Sequence, residues 1–216
     1  AKHIETAAKQ LGTFNIGVLR RLHIYALKHL MMPYAIMGED MWPVTEESSP
    51  MSRAIKLEEH EQILKAAADE SLQLWYRVES STYQGMSKAE TIAEWRDYLN
   101  LLWLVGCSQR DGAEMTAENI NEELNCLEFK RCKWKTKATR KPVRVPISSG
   151  LRTVLNRRPK SGPLFPNLTK ITTSNRARLF GWFVDWLKLP KVTLHGYRYA
   201  MAERLDEGGA SDKDRM

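Results

Sequence analysis

The sequence predicts a mainly helical α+β domain: amphipathic helices around one small β-hairpin, preceded by part of a second helical unit. Three observations predict it. Apolar residues recur at helical spacing through Val18, Leu19, Leu22, Ala26 and Leu30, then from Ile92 to Trp103, then through Leu179, Trp182, Phe183 and Trp186. Only residues 125–147 alternate apolar with charged side chains as a strand does. No period of about 20–50 residues repeats, which removes solenoid architectures.

Taken in order, residues 15–30 read as a helix with Arg20, Arg21 and Lys28 off its apolar face. Pro33, Pro43, Pro50 and the run Glu46-Glu47-Ser48-Ser49 break regular structure, so 33–52 reads as a linker. Residues 57–68 are helical, with Glu58, Glu59 and Glu61 in the first turns, where carboxylates suit the helix dipole. Residues 69–78 continue as another helix. Ser87 with Glu90 forms a capping box for a helix that reaches Val105 and stops at Gly106. A short helix spans 110–115. Leu127 and Phe129, then Val143, Val145 and Ile147, form the arms of a hairpin whose tip is Lys135-Thr136-Lys137-Ala138-Thr139-Arg140-Lys141. Helices follow over 148–157 and 175–187, separated by a turn at Ser161-Gly162-Pro163, and a last one runs from about Thr193 to Leu205 until Gly208-Gly209.

Composition bounds the function. The chain has 216 residues, 43% hydrophobic and 27% charged, enough for one large domain or one domain plus part of another. Disordered and fibrous classes are excluded. No apolar run approaches the roughly 20 residues needed to span a bilayer, and Ala1-Lys2-His3-Ile4-Glu5 is no signal peptide, so the expectation is a cytoplasmic protein without membrane contact. Cys107, Cys126 and Cys132 fit neither a disulfide framework nor a zinc site, and no metal is expected. The cysteines, together with Trp75, Trp95, Trp103, Trp182 and Trp186, read as core. His60 reads as a helix-surface residue, and Trp134 as a hairpin residue able to pack or to stack on a base.

Charge is concentrated. Between Lys130 and Lys160 there are 12 Lys/Arg and no Asp/Glu, so against a net charge of +7 the rest of the chain sums to −5. Such a block suits a polyanion, nucleic acid above all, or is a solvated face. Lys130, Lys133, Lys137, Arg140, Lys141 and Arg144 are the candidate DNA-binding residues. Downstream, His195 and Arg198 stand three apart at the opening of the last helix. A guanidinium fork grips two phosphate oxygens, and an imidazole passes a proton or donates a hydrogen bond.

Five segments in this order resemble the tyrosine recombinases, the phage-integrase type. Arg53-Ala54-Ile55-Lys56-Leu57-Glu58-Glu59 is similar to the start of their catalytic domain. Gly106-Cys107-Ser108-Gln109-Arg110-Asp111, followed by Glu118-Asn119-Ile120, is similar to the helix that carries their first arginine. Lys135-Thr136-Lys137 with Val143-Arg144-Val145-Pro146 is similar to the hairpin that carries their lysine. Gly162-Pro163-Leu164-Phe165-Pro166 is similar to a common turn, and Leu194-His195-Gly196-Tyr197-Arg198 to the His-x-x-Arg box. Residues 14–30 resemble the last helix of the core-binding domain.

The resemblance implies 1–32 as a partial core-binding, DNA-clamping domain, 33–52 as linker and 53–216 as the catalytic domain. It also implies duplex DNA as partner, with room for a homo-oligomer on it, and no metal or nucleotide cofactor. In that chemistry a tyrosine hydroxyl attacks a phosphodiester, two arginines neutralise the pentavalent phosphate, and a lysine protonates the departing 5′-oxygen. The carried-over catalytic residues are His195, Arg198 and either Lys135 or Lys137. The pattern Gly-x-Arg meets Ser108 here, and Arg110, two positions on and about 200° around a helix, is the alternative arginine. Tyr197 and Tyr199 are expected to pack inward, not to act as nucleophiles. The chain thus reads as an internal piece of a DNA breaking and rejoining enzyme without its tyrosine. The rivals are a non-catalytic DNA-binding remnant of the same fold and a basic RNA- or ribosome-associated protein.

Overall fold

The structure, a computed structural model, describes residues 22–29, 53–69, 88–132, 141–190 and 192–209. The chain divides into two compact units, 1–51 and 52–216. In the first, residues 22–28 are helical, inside the helix expected over 15–30. The expected linker 33–52, the helix over 70–78, the capping residue Ser87, Trp75 and the hairpin tip 133–140 lie outside the described residues.

The second unit is built around one helix. Its elements are α1 (Leu57–Ala68), α2 (Lys88–Val105), α3 (Gln109–Ala113), a 3₁₀ turn (Ala117–Asn119), β1 (Ile120–Asn121), β2 (Cys126–Phe129), β3 (Val143–Pro146), α4 (Ser149–Asn156), α5 (Pro166–Lys170), α6 (Thr173–Trp186) and α7 (Gly196–Glu207). α2 packs against α1, α4, α5 and α7. Its Trp95, Tyr98, Leu99, Leu101 and Leu102 are wholly buried, meeting Phe165, Phe183 and Tyr197 in one core. Three of its polar residues, Thr91, Glu94 and Asp97, are buried too, while Glu90 and Arg96 stay exposed. Glu94 accepts the backbone N–H groups of Asn167 and Leu168, at 2.9 and 3.0 Å, so it caps the start of α5. Asp97 holds Arg157 at 2.6 Å and Arg158 at 2.9 Å.

The expected hairpin is present, in antiparallel register Leu127↔Val145 and Phe129↔Val143. A third strand was not expected: β1 pairs Ile120 with Leu127 and Asn121 with Cys126. Two residues are too few to show alternation. The turn expected near Gly162 is followed by α5, five residues long with Pro166 in its first turn, again too short for a periodic signal. Ser108, Ser148 and Thr172 cap α3, α4 and α6 through their hydroxyls.

The last helix starts later than expected. Thr193–His195 form a turn, with the Gly196 N–H donating to the Thr193 carbonyl at 2.8 Å, and His195 is the N-cap. Two glycines seat α7. At Gly106 φ is +64°, and a Cβ there would lie 2.5 Å from the Met201 side chain; a Cβ at Gly196 would lie 2.7 Å from the Arg53 carbonyl oxygen. α7 therefore lies directly on the turn that ends α2.

Two expectations about aromatic and imidazole groups are corrected. His60 is not on the surface: it is 3% exposed, stacked on Trp103 at 4.6 Å, with Nδ1 3.2 Å from the Tyr197 hydroxyl. α1 turns it inward because Ile63 and Ala67, three and seven residues on, form the helix's buried face. Trp186 is not core but 57% exposed at the end of α6.

Candidate phosphate-binding cleft

The turn after α2, the base of the hairpin and α7 enclose an open cleft of about 370 Å³. Its walls include Gly106, Phe129 and Met201, and its charged lining is Arg131, Arg144, Arg198 and one acid, Asp111. Arg144 is paired with Glu128 at 2.8 Å, so Arg131 and Arg198 against Asp111 leave the cleft positive and suited to an anion.

Arg198 enters from α7. It is half-buried, and burial first and the Arg131 charge second pull its pKa below the ordinary guanidinium value, while Asp111 opposes the shift. An arginine stays charged through such a shift, so the cleft holds a cation poor in water contacts.

Arg131 enters from the hairpin. Arg131 lies two residues past the end of β2, whose Leu127 and Phe129 face the core, and lines the cleft. The next residue is tethered: the Cys132 N–H donates to Asp111 Oδ1 at 2.6 Å. Asp111 is in turn fixed by Ser108, whose Oγ donates to Oδ2 at 2.7 Å while accepting the Asp111 N–H at 3.1 Å. The Cys132 thiol donates to Glu114 Oε2 at 3.3 Å, and burial together with the two carboxylates pushes its pKa up to about 12. It is therefore no nucleophile at neutral pH.

The sequence candidates divide. Arg198 lines the cleft. His195 does not: it is exposed, and its ring meets Tyr199 edge-on at 4.8 Å. Tyr199, expected to pack inward, is half-buried and lines the cleft beside Arg198. Tyr197 is wholly buried, as expected. Arg110 points elsewhere, with a side chain 62% exposed and Nε 2.6 Å from Glu114. Ser108, where the resemblance expects the first arginine, is a helix cap. Lys133, Lys135, Lys137 and Arg140 lie outside the described residues. Lys130 and Lys141 are exposed, and Arg144 pairs with Glu128 at 2.8 Å.

The residues that sequence reasoning missed here are Arg131 and Asp111. Arg131 lies two residues past the end of β2, inside the basic block but outside the hairpin arms and tip, so no periodic signal marked it; Asp111 lay inside a recognised motif without a role. Among the described residues, no group of three or more His, Cys, Asp or Glu could hold a metal ion, and no helix is long and apolar enough to cross a membrane.

No protein-family model and no curated protein matches the sequence. Solved structures do match. The Tn1549 transposon integrase in complex with transposon right-end DNA superposes with a TM-score of 0.64 at 12% identity, over 99% of this chain and 74% of that one. This chain has the fold of that integrase. Two complexes of the Tn1549 integrase with circular-intermediate DNA give a TM-score of 0.61 each, at 14% and 13% identity, over 98% and 100% of this chain and 72% and 74% of theirs. The mainly helical α+β class expected from the sequence is thereby the class found.

Proposed function

We propose that this chain is a DNA-binding domain of the tyrosine-recombinase type, acting on duplex DNA phosphodiesters. The observation that carries the reading is a cleft rich in arginine, built from the α2–α3 turn, the hairpin and Arg198, in a fold shared with an integrase solved on DNA. On this reading Arg198 holds a non-bridging phosphate oxygen. A hairpin lysine, Lys135 or Lys137, approaches from the basic tip as general acid toward the leaving oxygen, and His195 flanks the site. Lys130, Lys133, Arg140 and Lys141 meet the backbone of the duplex without reading sequence. A tyrosine hydroxyl would attack phosphorus and the 5′-oxygen would leave, storing the bond energy in a phosphotyrosyl link. Tyr197 is excluded from that role by its burial against His60.

A second reading, a DNA-binding protein of the same fold without cleavage activity, is favoured by one observation. Ser108 caps α3 where the family pattern has an arginine.

Salt-dependent binding to a random-sequence duplex tests the first step. For about four phosphate contacts, log K falls against log salt with a slope near −3.6. Replacing Lys135, Lys137, Arg140 and Lys141 together with Ala flattens that slope. An unchanged slope sinks the hairpin as the DNA surface, and no salt-dependent binding sinks the reading. Both readings expect no adduct from this chain on a nicked suicide duplex; they part when a tyrosine-bearing C-terminal segment is supplied, where an adduct on a denaturing gel supports catalysis and its absence supports the binding protein.

A further inference from the structure

We propose that Arg131 supplies a second phosphate-binding guanidinium, opposite Arg198 in the cleft, in place of the arginine that the position of Ser108 does not provide. This rests on the reading of the cleft as a phosphodiester site.

Geometry carries the argument. Arg131 and Arg198 line the same cleft from opposite elements, the hairpin and α7. They are near enough for the charge of Arg131 to depress the pKa of Arg198. A bound phosphate, with several oxygens, satisfies both forks at once and offsets their mutual repulsion. A single phosphodiester carries two non-bridging oxygens, one for each fork.

The substitution at Ser108 is connected to Arg131 by a chain of hydrogen bonds. A serine is too short to reach the cleft as an arginine would. Its hydroxyl instead fixes Asp111 through Oδ2, and Asp111 Oδ1 accepts the N–H of Cys132, the residue next to Arg131. The short side chain therefore anchors the hairpin base that carries Arg131. Asp111 is the one acid on the cleft wall and would repel an anion. Both its oxygens are already engaged, by Ser108 and by Cys132, which offsets that repulsion. Ser108 and Asp111 are thus positioning residues for Arg131.

The test is a double-mutant cycle on affinity for a random-sequence DNA duplex, with the full chain. Arg131→Ala and Arg198→Ala should each weaken binding by about tenfold or more, as expected for a lost charge-assisted hydrogen bond. Together they should weaken it by clearly less than the product of the two effects, because both grip one phosphate. Arg131→Lys, which keeps the charge and loses the fork, should fall between wild type and Arg131→Ala. Ser108→Ala should weaken binding in the wild type and do little in the Arg131→Ala background. Weakening by Arg198→Ala with none from Arg131→Ala or Arg131→Lys overturns this inference and leaves the DNA reading standing. Effects that multiply fully place Arg131 on a different phosphate and also overturn it. A wild-type chain that fails to bind the duplex overturns the DNA reading itself, and this inference with it.

Discussion

Two pairs of arginines in the same domain are placed to opposite ends. Arg157 and Arg158, at the end of α4, both bind Asp97, a wholly buried carboxylate of the central helix. Arg131 and Arg198 line a cleft whose one acid is already hydrogen-bonded to Ser108 and Cys132. Arg131, Arg157 and Arg158 belong to the same run of 12 basic residues. A charge block in sequence is therefore not one surface: part of it is internal framework and part lines an open cleft. The deciding quantity is what each cation meets. A buried carboxylate stabilises the fold only while its cations stay.

The sharpest way to break that contrast is Asp97→Ala. It leaves Arg158, 11% exposed, without its acid, while Arg157, 41% exposed, can turn to water; breaking a fully buried pair from one side costs about 3–5 kcal/mol, which bounds the loss from above. Urea denaturation should show that loss in full. Duplex affinity of the molecules that remain folded should hold or rise, because no cleft residue is touched. A loss of affinity equal to that of Arg198→Ala, in protein shown to be folded, would merge the two pairs into one function and end the distinction.

His60 offers a second contrast, between an imidazole expected on the surface and one found in the core. Burial, reinforced by the Arg204 charge, pushes its pKa down to about 4 from 6.5. The sign follows from linkage. The unfolded chain takes up a proton as pH falls through 6.5, and the folded chain does so only near 4. Stability is thus complete above 6.5 and falls through that window, by about 3 kcal/mol at most. Measured as denaturation midpoint against pH, the fall should largely vanish in His60→Gln. A His60→Gln protein with the same acid dependence as wild type would assign the proton uptake to another group.

Much of the architecture was legible. The stop at Gly106, the hairpin arms and the helices α1, α4 and α6 follow from spacing, caps and glycine, which act over a few residues. What was illegible depends on remote partners. Nothing in the helical pattern of α2 marks Glu94 and Asp97 as buried, yet both are, because the α5 N–H groups and the α4 arginines come to them from 60 or more residues away. His60 was misread for the same reason: its stacking partner Trp103 and its bonding partner Tyr197 lie on other helices. β1 and α5 are too short to carry a period. The candidate site was half legible. Arg198 was found from a motif, whereas Arg131, two residues past the end of β2, falls between the hairpin arm and the basic tip and carries no periodic signal of its own.

The smallest expected effect concerns Arg144, which stands between the two groups of arginines. It lines the cleft, yet its side chain is 60% exposed and paired with Glu128 across the β2–β3 register. An exposed pair of this kind contributes little to stability, so Arg144→Ala and Glu128→Gln should both unfold at the wild-type denaturant midpoint. Their effects on DNA should differ. While Glu128 keeps the charge of Arg144, removing the arginine should hardly change the salt dependence of binding. Neutralising Glu128 releases that arginine to the phosphates and should steepen the slope of log K against log salt by up to about 0.9, one added contact. The opposite ranking, a flatter slope in Arg144→Ala and no change in Glu128→Gln, would mean that DNA already outcompetes Glu128, and Arg144 would then belong with Arg131 and Arg198.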